Sequence, residues 1–324
     1  MGQPTRSDVH YDAVLSNFSA AVIQDPGAFI APRIFPILPV MKQSDRYVVW
    51  DKEAFLRDDM QLRPSGTESA GTSFELSRDP YYCDKYALHY DIADDDRDNS
   101  DDGIDLERTA TRILTHQTLQ KLERTMMTEY LATSKWGTDY TGVSGSPTGN
   151  QFKQWNDAAS TPITDVDRAV DSILSKTGYQ ANTLVVGQQV YRQLQRHASV
   201  KEQFKYSSSE SITADMIGAV LDIPNVLVAR AIKATNKEGQ ALATDFIVGK
   251  VAWLGYVDPN PTLESPTAGL TFNWQQSVGG SLAAAPVYNF RMEHLKSDRI
   301  ETEIAFDMKV VAPELGTFFA SAVA

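Results

Sequence analysis

The sequence predicts a mixed α+β fold, and three observations predict it. Residues Ile104 to Trp136 run without proline or glycine, and their apolar positions recur at helical spacing. The flanking segments 45–90 and 269–319 carry the alternation and the aromatic and β-branched content of strands. Between 162 and 258, helical and strand patterns take turns, as they do in an α/β layer.

The long helix organises the rest. Leu106, Ala110, Ile113, Leu114, Leu122, Met126 and Tyr130, with Leu119, Met127 and Leu131 beside them, fall on one broad stripe through steps of three and four. Asp101, Asp102 and Asp105 lie where the helix dipole favours negative charge, Gly103 or Asp102 is placed to cap, and Gly137 sits where a helix stops. At 1.5 Å per residue such a rod is about 50 Å long. It needs partners along its whole length.

Before it, Val14 to Val22 reads as a short helix. Pro26, Pro32, Pro36 and Pro39 then interrupt a run rich in Phe and Ile, which rules out a continuous helix and leaves an extended apolar strap. A strap of this kind is covered either by its own domain or by a neighbouring subunit, and the residues leave both open. From Asp45 the pattern is β: Arg46 to Trp50, Ser73 to Leu76 and Tyr81 to Tyr90 read as strands around a polar tip, Asp58 to Thr72. A two-stranded ribbon has little core of its own and must rest on something else.

Asp91 to Gly103 is dense in aspartate. With Gly103 at the turn of a calcium loop, Asp98, Ser100 and Asp102 fall at ligand positions, but the ligating Glu is replaced by Thr109. The run therefore reads as a solvated acidic linker into the helix, with no metal site. Thr138 to Ser160, rich in Gly, Ser, Thr and Asn, reads as a loop or boundary. Beyond it, a helix from Asp165 to Lys176 capped by Thr164 and ended by Gly178, a buried strand Asn182 to Gly187, a helix through Val190, Tyr191 and Leu194, a turn at Ser207 to Ser211, a short helix Thr213 to Leu221, and strands at Asn225 to Arg230 and Asp245 to Val257 make an α/β unit. Leu270 to Gln275, Val287 to Glu293 and Ile300 to Val311 read as closing strands.

Length and charge narrow the function. The chain has 324 residues, 42% hydrophobic and 22% charged, enough for a sizeable core, and a net charge of −12 that argues against gripping nucleic acid through phosphates. Cys83 is the single cysteine, so neither an intrachain disulfide nor a thiolate metal cluster can form. The Met-Gly-Gln-Pro start has no apolar leader and no apolar run is long enough to span a bilayer, which reads as a full-length cytoplasmic chain. There is no phosphate-binding glycine loop, H-E-x-x-H, C-x-x-C or G-x-S-x-G pattern, and His10, His89, His116, His197 and His294 stand singly. Catalytic, cofactor and metal residues are accordingly expected to be none.

The order of segments, an arm, a long hairpin, an acidic turn, a very long helix, an inserted α/β unit and a closing β segment, resembles tailed-bacteriophage major capsid proteins of the Hong Kong 97-type fold. The likeness is carried by Tyr86 to Tyr90 leading through the acid run into Ile104 to Leu114, by Thr177 to Gly187, and by Asp298 to Thr302 with Asp307 to Val311. It implies an N-terminal arm (1–44), an extended loop (45–90), a peripheral domain (91–160 and 259–324) with a spine helix (104–136), and an axial domain (161–258). It also implies pentamers and hexamers of the chain in an icosahedral shell around double-stranded DNA, a portal protein at one vertex, room for scaffold and decoration proteins, no membrane, and a place in the virion after assembly in the host cytoplasm. The residues then expected between subunits are Phe29, Ile34, Phe35 and Leu38 in the strap and Trp50, Phe55, Leu56, Met60 and Leu62 in the loop. Two departures accompany the resemblance: the arm begins almost at once, so any scaffold is a separate protein, and Lys52 has no identifiable cross-linking partner. An encapsulin-like nanocompartment shell is the alternative on the same fold, and an α/β enzyme the alternative outside it.

Overall fold

The computed structural model describes residues 24–50, 53, 56–73, 75–99, 105–204, 212–237, 239–262, 265–275 and 286–324, and of Trp50 the backbone alone. The expected helix at 14–22, the turn at 207–211, Lys52 and Phe55 lie outside them.

One sheet is built around β14 (Ser297–Val310). Its residues Ile300, Thr302, Ile304, Phe306 and Met308 are buried at every second position, the period that sets one face of a strand against a core. Along one edge β4 (Asp84–Ala93) pairs antiparallel from Ser297↔Ala93 to Phe306↔Asp84. Along the other edge β13 (Val287–Met292) and then β12 (Gly269–Trp274) pair in succession, and β1 (Ile37–Val40) adds in parallel to β12.

The spine helix packs on that face. Ala110 and Leu114 join Ile92 and Ile300, while Leu122 and Met126 share the main core with Ile304, Phe306 and Met308. It spans Leu106–Glu129, shorter at its C-terminal end than the pattern suggested, and Asp105 caps it by accepting the Arg108 N–H at 2.8 Å. Its end is set by tertiary contacts. The Tyr130 hydroxyl donates to the Met308 carbonyl and the Trp136 indole donates to the Tyr130 carbonyl at 2.7 Å, so the terminal groups that would continue the helix are taken. Gly137 is not the stop. Its N–H donates to the Pro313 carbonyl at 2.7 Å, and a Cβ there would meet Glu314 Cα at 2.8 Å.

The second sheet has six strands in the order β6, β5, β15, β11, β7, β8, where β5 is Thr138–Val143, β6 Gln151–Lys153, β7 Thr183–Gly187, β8 Asn225–Ala229, β11 Ala252–Gly255 and β15 Gly316–Ala320. Thr138 to Ser160 thus holds two strands joined and followed by loop, its apolar Tyr140 and Phe152 facing Phe319 at ring separations of 5.4 and 5.5 Å. The C-terminal strand crosses into this unit and lies at its middle. Helix α4 (Pro162–Thr177) covers the sheet; its first residue is a proline, whose missing N–H costs nothing at that position, and Gly178 closes it at φ 75°. Helices α5 (Gln188–Arg196), α6 (Ala198–Gln203) and α7 (Ala214–Val220) complete the layer.

The strap runs over the chain's own core. A single turn α1 (Ala31–Ile34) and β1 place Ile30, Ala31, Ile34 and Phe35 among the most buried side chains of the molecule. Phe35 packs on Tyr130 at 5.1 Å and Trp136 at 6.2 Å, where the helix end meets both sheets.

Candidate assembly surfaces

The ribbon has an anchored base and a bare tip. β2 (Ser44–Trp50) pairs antiparallel with β3 (Leu76–Tyr82) from Ser44↔Tyr82 to Trp50↔Leu76. At its base Tyr81 stacks on Phe272 at 4.5 Å, Tyr47 closes on the same ring at 5.4 Å, and the Tyr82 N–H donates to the Asp307 carboxylate at 2.9 Å. Cys83 lies under this cluster, where burial pushes its thiol up to about 12, so it packs as an inert hydrophobe. Beyond the base every described side chain from 56 to 73 is exposed, with Leu56 at 66%, Met60 at 91% and Leu62 at 97%.

The second exposed apolar area lies on the β4–β14–β13 sheet, where Leu88, Tyr90, Tyr288 and Phe290 remain open. The acidic run below it is no linker. Asp91 lies near the end of β4 and takes Arg299 in a two-pronged pair at 2.7 and 2.8 Å, while Asp94 opens a short helix α2 (Asp94–Asp98) and takes Arg291 at 2.5 and 2.6 Å. Hydrogen bonds from these guanidinium groups hold both carboxyls below their ordinary range. The remaining acids of α2 stay in solvent, and no group of acidic, His or Cys residues among the described ones is arranged to hold a metal.

This architecture has known relatives. The model of the family described as phage major capsid protein E matches residues 143–245. The major capsid protein of Pseudomonas phage JBD67 is 25% identical over 312 residues, covering 94% of this chain and 95% of its own, and that of Burkholderia phage BcepMu is 25% identical over 227 residues, covering 70% and 71%. The chain is similar to these phage major capsid proteins. A phage-related protein from Bordetella bronchiseptica shares the capsid fold at TM-score 0.70 and 22% identity, over 96% of this chain and 97% of its own. The capsid of cyanophage P-SCSP1u and the SrpI encapsulin of Synechococcus elongatus both match at TM-score 0.56, with 12% and 11% identity, over 89% and 93% of this chain and 86% and 88% of theirs. The Hong Kong 97-type fold is therefore common ground between virus shells and nanocompartments.

Against that likeness the expected interface residues divide. Phe29, Ile34 and Phe35 are 5%, 1% and 0% exposed, their side chains covered within their own chain. The physical reason is that the proline-broken strap finds an apolar groove between the helix end and β12 close at hand. Leu38 is half-buried against the ribbon base. Leu56, Met60 and Leu62 are free, Trp50's side chain and Phe55 lie outside the described residues, and the open residues of β4 and β13 were not foreseen because their alternation reads the same on a covered and an uncovered face.

His197 in the α/β unit meets two serines and serves as a cap. His197 Nδ1 accepts the Ser199 N–H at 3.2 Å to start α6, which leaves the ring proton on Nε2. That N–H donates to Ser160 Oγ at 3.0 Å, whose hydroxyl donates to the Asp157 carbonyl at 2.7 Å. A general base needs the opposite polarity, with Nε2 accepting the serine proton.

The spine helix also carries a buried carboxyl. Glu123 is fully buried, its Oε2 accepting the Ile30 N–H at 2.9 Å and the Ala31 N–H at 2.8 Å, while Oε1 has no partner. Burial outweighs those two hydrogen bonds and pushes the carboxyl up to about 7. The sequence signal was visible: Glu123 sits between Leu122 and Met126 on the apolar stripe.

Proposed function

We propose that this capsid protein builds a closed icosahedral shell from pentamers and hexamers of itself, enclosing the double-stranded DNA of a tailed phage, with each ribbon tip lying across a neighbouring subunit. The observation that carries the reading is the ribbon: a base fixed by Tyr81, Phe272 and Asp307, and a tip whose Leu56, Met60 and Leu62 have no cover in their own chain. Apolar groups that open, on an element without a core, gain burial from a second copy. The division into arm, extended loop, peripheral domain and axial domain belongs to this reading, as does assembly in the host cytoplasm and attachment of a portal at one vertex. A net charge of −12 supports a container that holds its DNA without sequence-specific contacts. The role is structural, without catalysis. Among the described residues no helix is long and apolar enough to cross a membrane.

The test is electron microscopy of the purified chain beside a Met60→Asp/Leu62→Asp variant. Closed shells from the parent, and none from a variant whose circular dichroism and unfolding midpoint are unchanged, are the expected result. Normal shells from the variant would remove the ribbon from the contact. The encapsulin likeness supports a second reading, which shells carrying a protein cargo and no DNA would select.

A further inference from the structure

The N-terminal strap is held on the spine helix by a set of contacts with one weak member. Upstream, Gln24 exchanges two hydrogen bonds with the backbone of Ile232, donating to its carbonyl at 2.7 Å and accepting its N–H at 2.8 Å, and the helix residue Gln120 donates to the same carbonyl at 3.3 Å. Phe29 meets the ring of His116 edge-on at 5.3 Å and packs with Ala231 and Ile247. Ile30 and Ala31 then give their N–H groups to Glu123. This carboxyl does for the turn α1 what a cap residue does, since Ile30 itself offers no side-chain cap.

We propose that Glu123 is a proton-operated latch: the strap segment 24–31 is docked firmly while this carboxyl is protonated and loosens when it ionises. The geometry points to Glu123 because it is the one acid of the spine helix that is fully buried, it holds two backbone N–H groups of the strap through a single oxygen, and its other oxygen faces no donor. An ionised carboxylate in that position keeps two hydrogen bonds but has half its charge unsolvated. No cation offsets it. The charged side chains are Lys121 and Arg124 beside it on the helix with Glu107, Arg108, Arg112 and Glu129 farther along, Asp25 and Arg33 on the strap, and Arg230 and Lys233 next to Ile232, and no ion pair joins any of them to Glu123. From β14 and β4 the helix meets Ile300, Ile304, Phe306, Tyr86 and Ile92, none of them charged.

The sign follows from linkage. The carboxyl is raised from 4.5 in the free chain to about 7 when docked, so its contribution is fully present below 4.5 and is lost as pH rises through about 7. His116 works in the other direction. Burial lowers it, and its Nε2 is buried without a partner, so it favours docking as the ring loses its proton and loosens the strap only on the acid side of 6.5. The latch acts within one subunit and does not depend on shell formation.

Hydrogen–deuterium exchange of the full-length unassembled chain, read on the peptide containing Ile30 and Ala31 and corrected for intrinsic exchange, tests it. Protection is expected to fall roughly tenfold to a hundredfold between pH 5 and pH 8, because each unit of carboxyl shift is worth a factor of ten in the opening equilibrium. Glu123→Gln, which keeps an oxygen for the two N–H groups and cannot ionise, should flatten the profile. His116→Phe, which keeps the edge contact with Phe29, should leave the fall in place. Protection that does not change with pH in the parent, or a fall that persists in Glu123→Gln or vanishes in His116→Phe, overturns the proposal. Should Glu123→Gln not fold, the carboxyl resonance of Glu123 in the parent decides: a midpoint near the free-chain value overturns it, and one near 7 that coincides with the loss of protection supports it.

Discussion

Phe35 shows how much one strap residue decides. Its ring touches Tyr130 and Trp136 and fills the space that Gly269 leaves vacant, since a Cβ at Gly269 would fall on the Phe35 ring. Phe35→Ala is expected to cost about 3–5 kcal/mol in the unfolding free energy of the subunit, the range for emptying a buried aromatic site, as measured by denaturant titration. Phe35→Asp should leave no stable subunit to assemble, because a charge would replace a ring with no water or partner at hand. A subunit that keeps its stability with either change and fails only in assembly would return Phe35 to the interface. Glu123 is the opposite kind of residue. It breaks the apolar stripe, and its reason lies in the N–H groups of a segment 92 and 93 residues away in sequence.

At the scale of elements, the spine helix and the ribbon depend on their surroundings in different ways. In the helix the hydroxyls of Thr109, Thr111, Thr115 and Thr118 bond the carbonyls four residues back, and Thr118 thereby completes the buried row Ala110, Leu114, Thr118, Leu122, Met126 without an orphaned polar group. Its end, by contrast, belongs to Tyr130 and Trp136. The ribbon tip has no such support, and nothing in the core touches it. Replacing residues 57–72 with a short glycine–serine turn should therefore leave the unfolding midpoint of the subunit within about 2 °C, a change of about 1 kcal/mol for a chain of this size, while closed shells disappear from electron micrographs. A large drop in midpoint would mean that the tip stabilises its own subunit.

For the whole molecule, a charge of −12 sets each subunit against its copies. Shell formation followed by light scattering should accelerate as salt rises from about 20 to 200 mM, where the screening length shrinks from roughly 20 Å to below 10 Å, and slowing over that range would mean that contacts between opposite charges dominate instead. The same molecule separates what a chain can declare from what it cannot. Periodicity alone placed the spine helix, the α/β alternation and the strands of 183–187, 225–229 and 297–310, because a stripe or an alternating row is written in neighbouring residues. The composition of Thr138 to Ser160 hid two strands, since their cover, Phe319, arrives more than 160 residues later. The strap's apolar residues were legible as needing burial, but a sequence records the need and not the address. Folding supplied the address from within: the groove at Gly269 and Trp136 is part of the same chain, so the strap closes on its own core, while the ribbon tip, which finds no such groove, stays exposed.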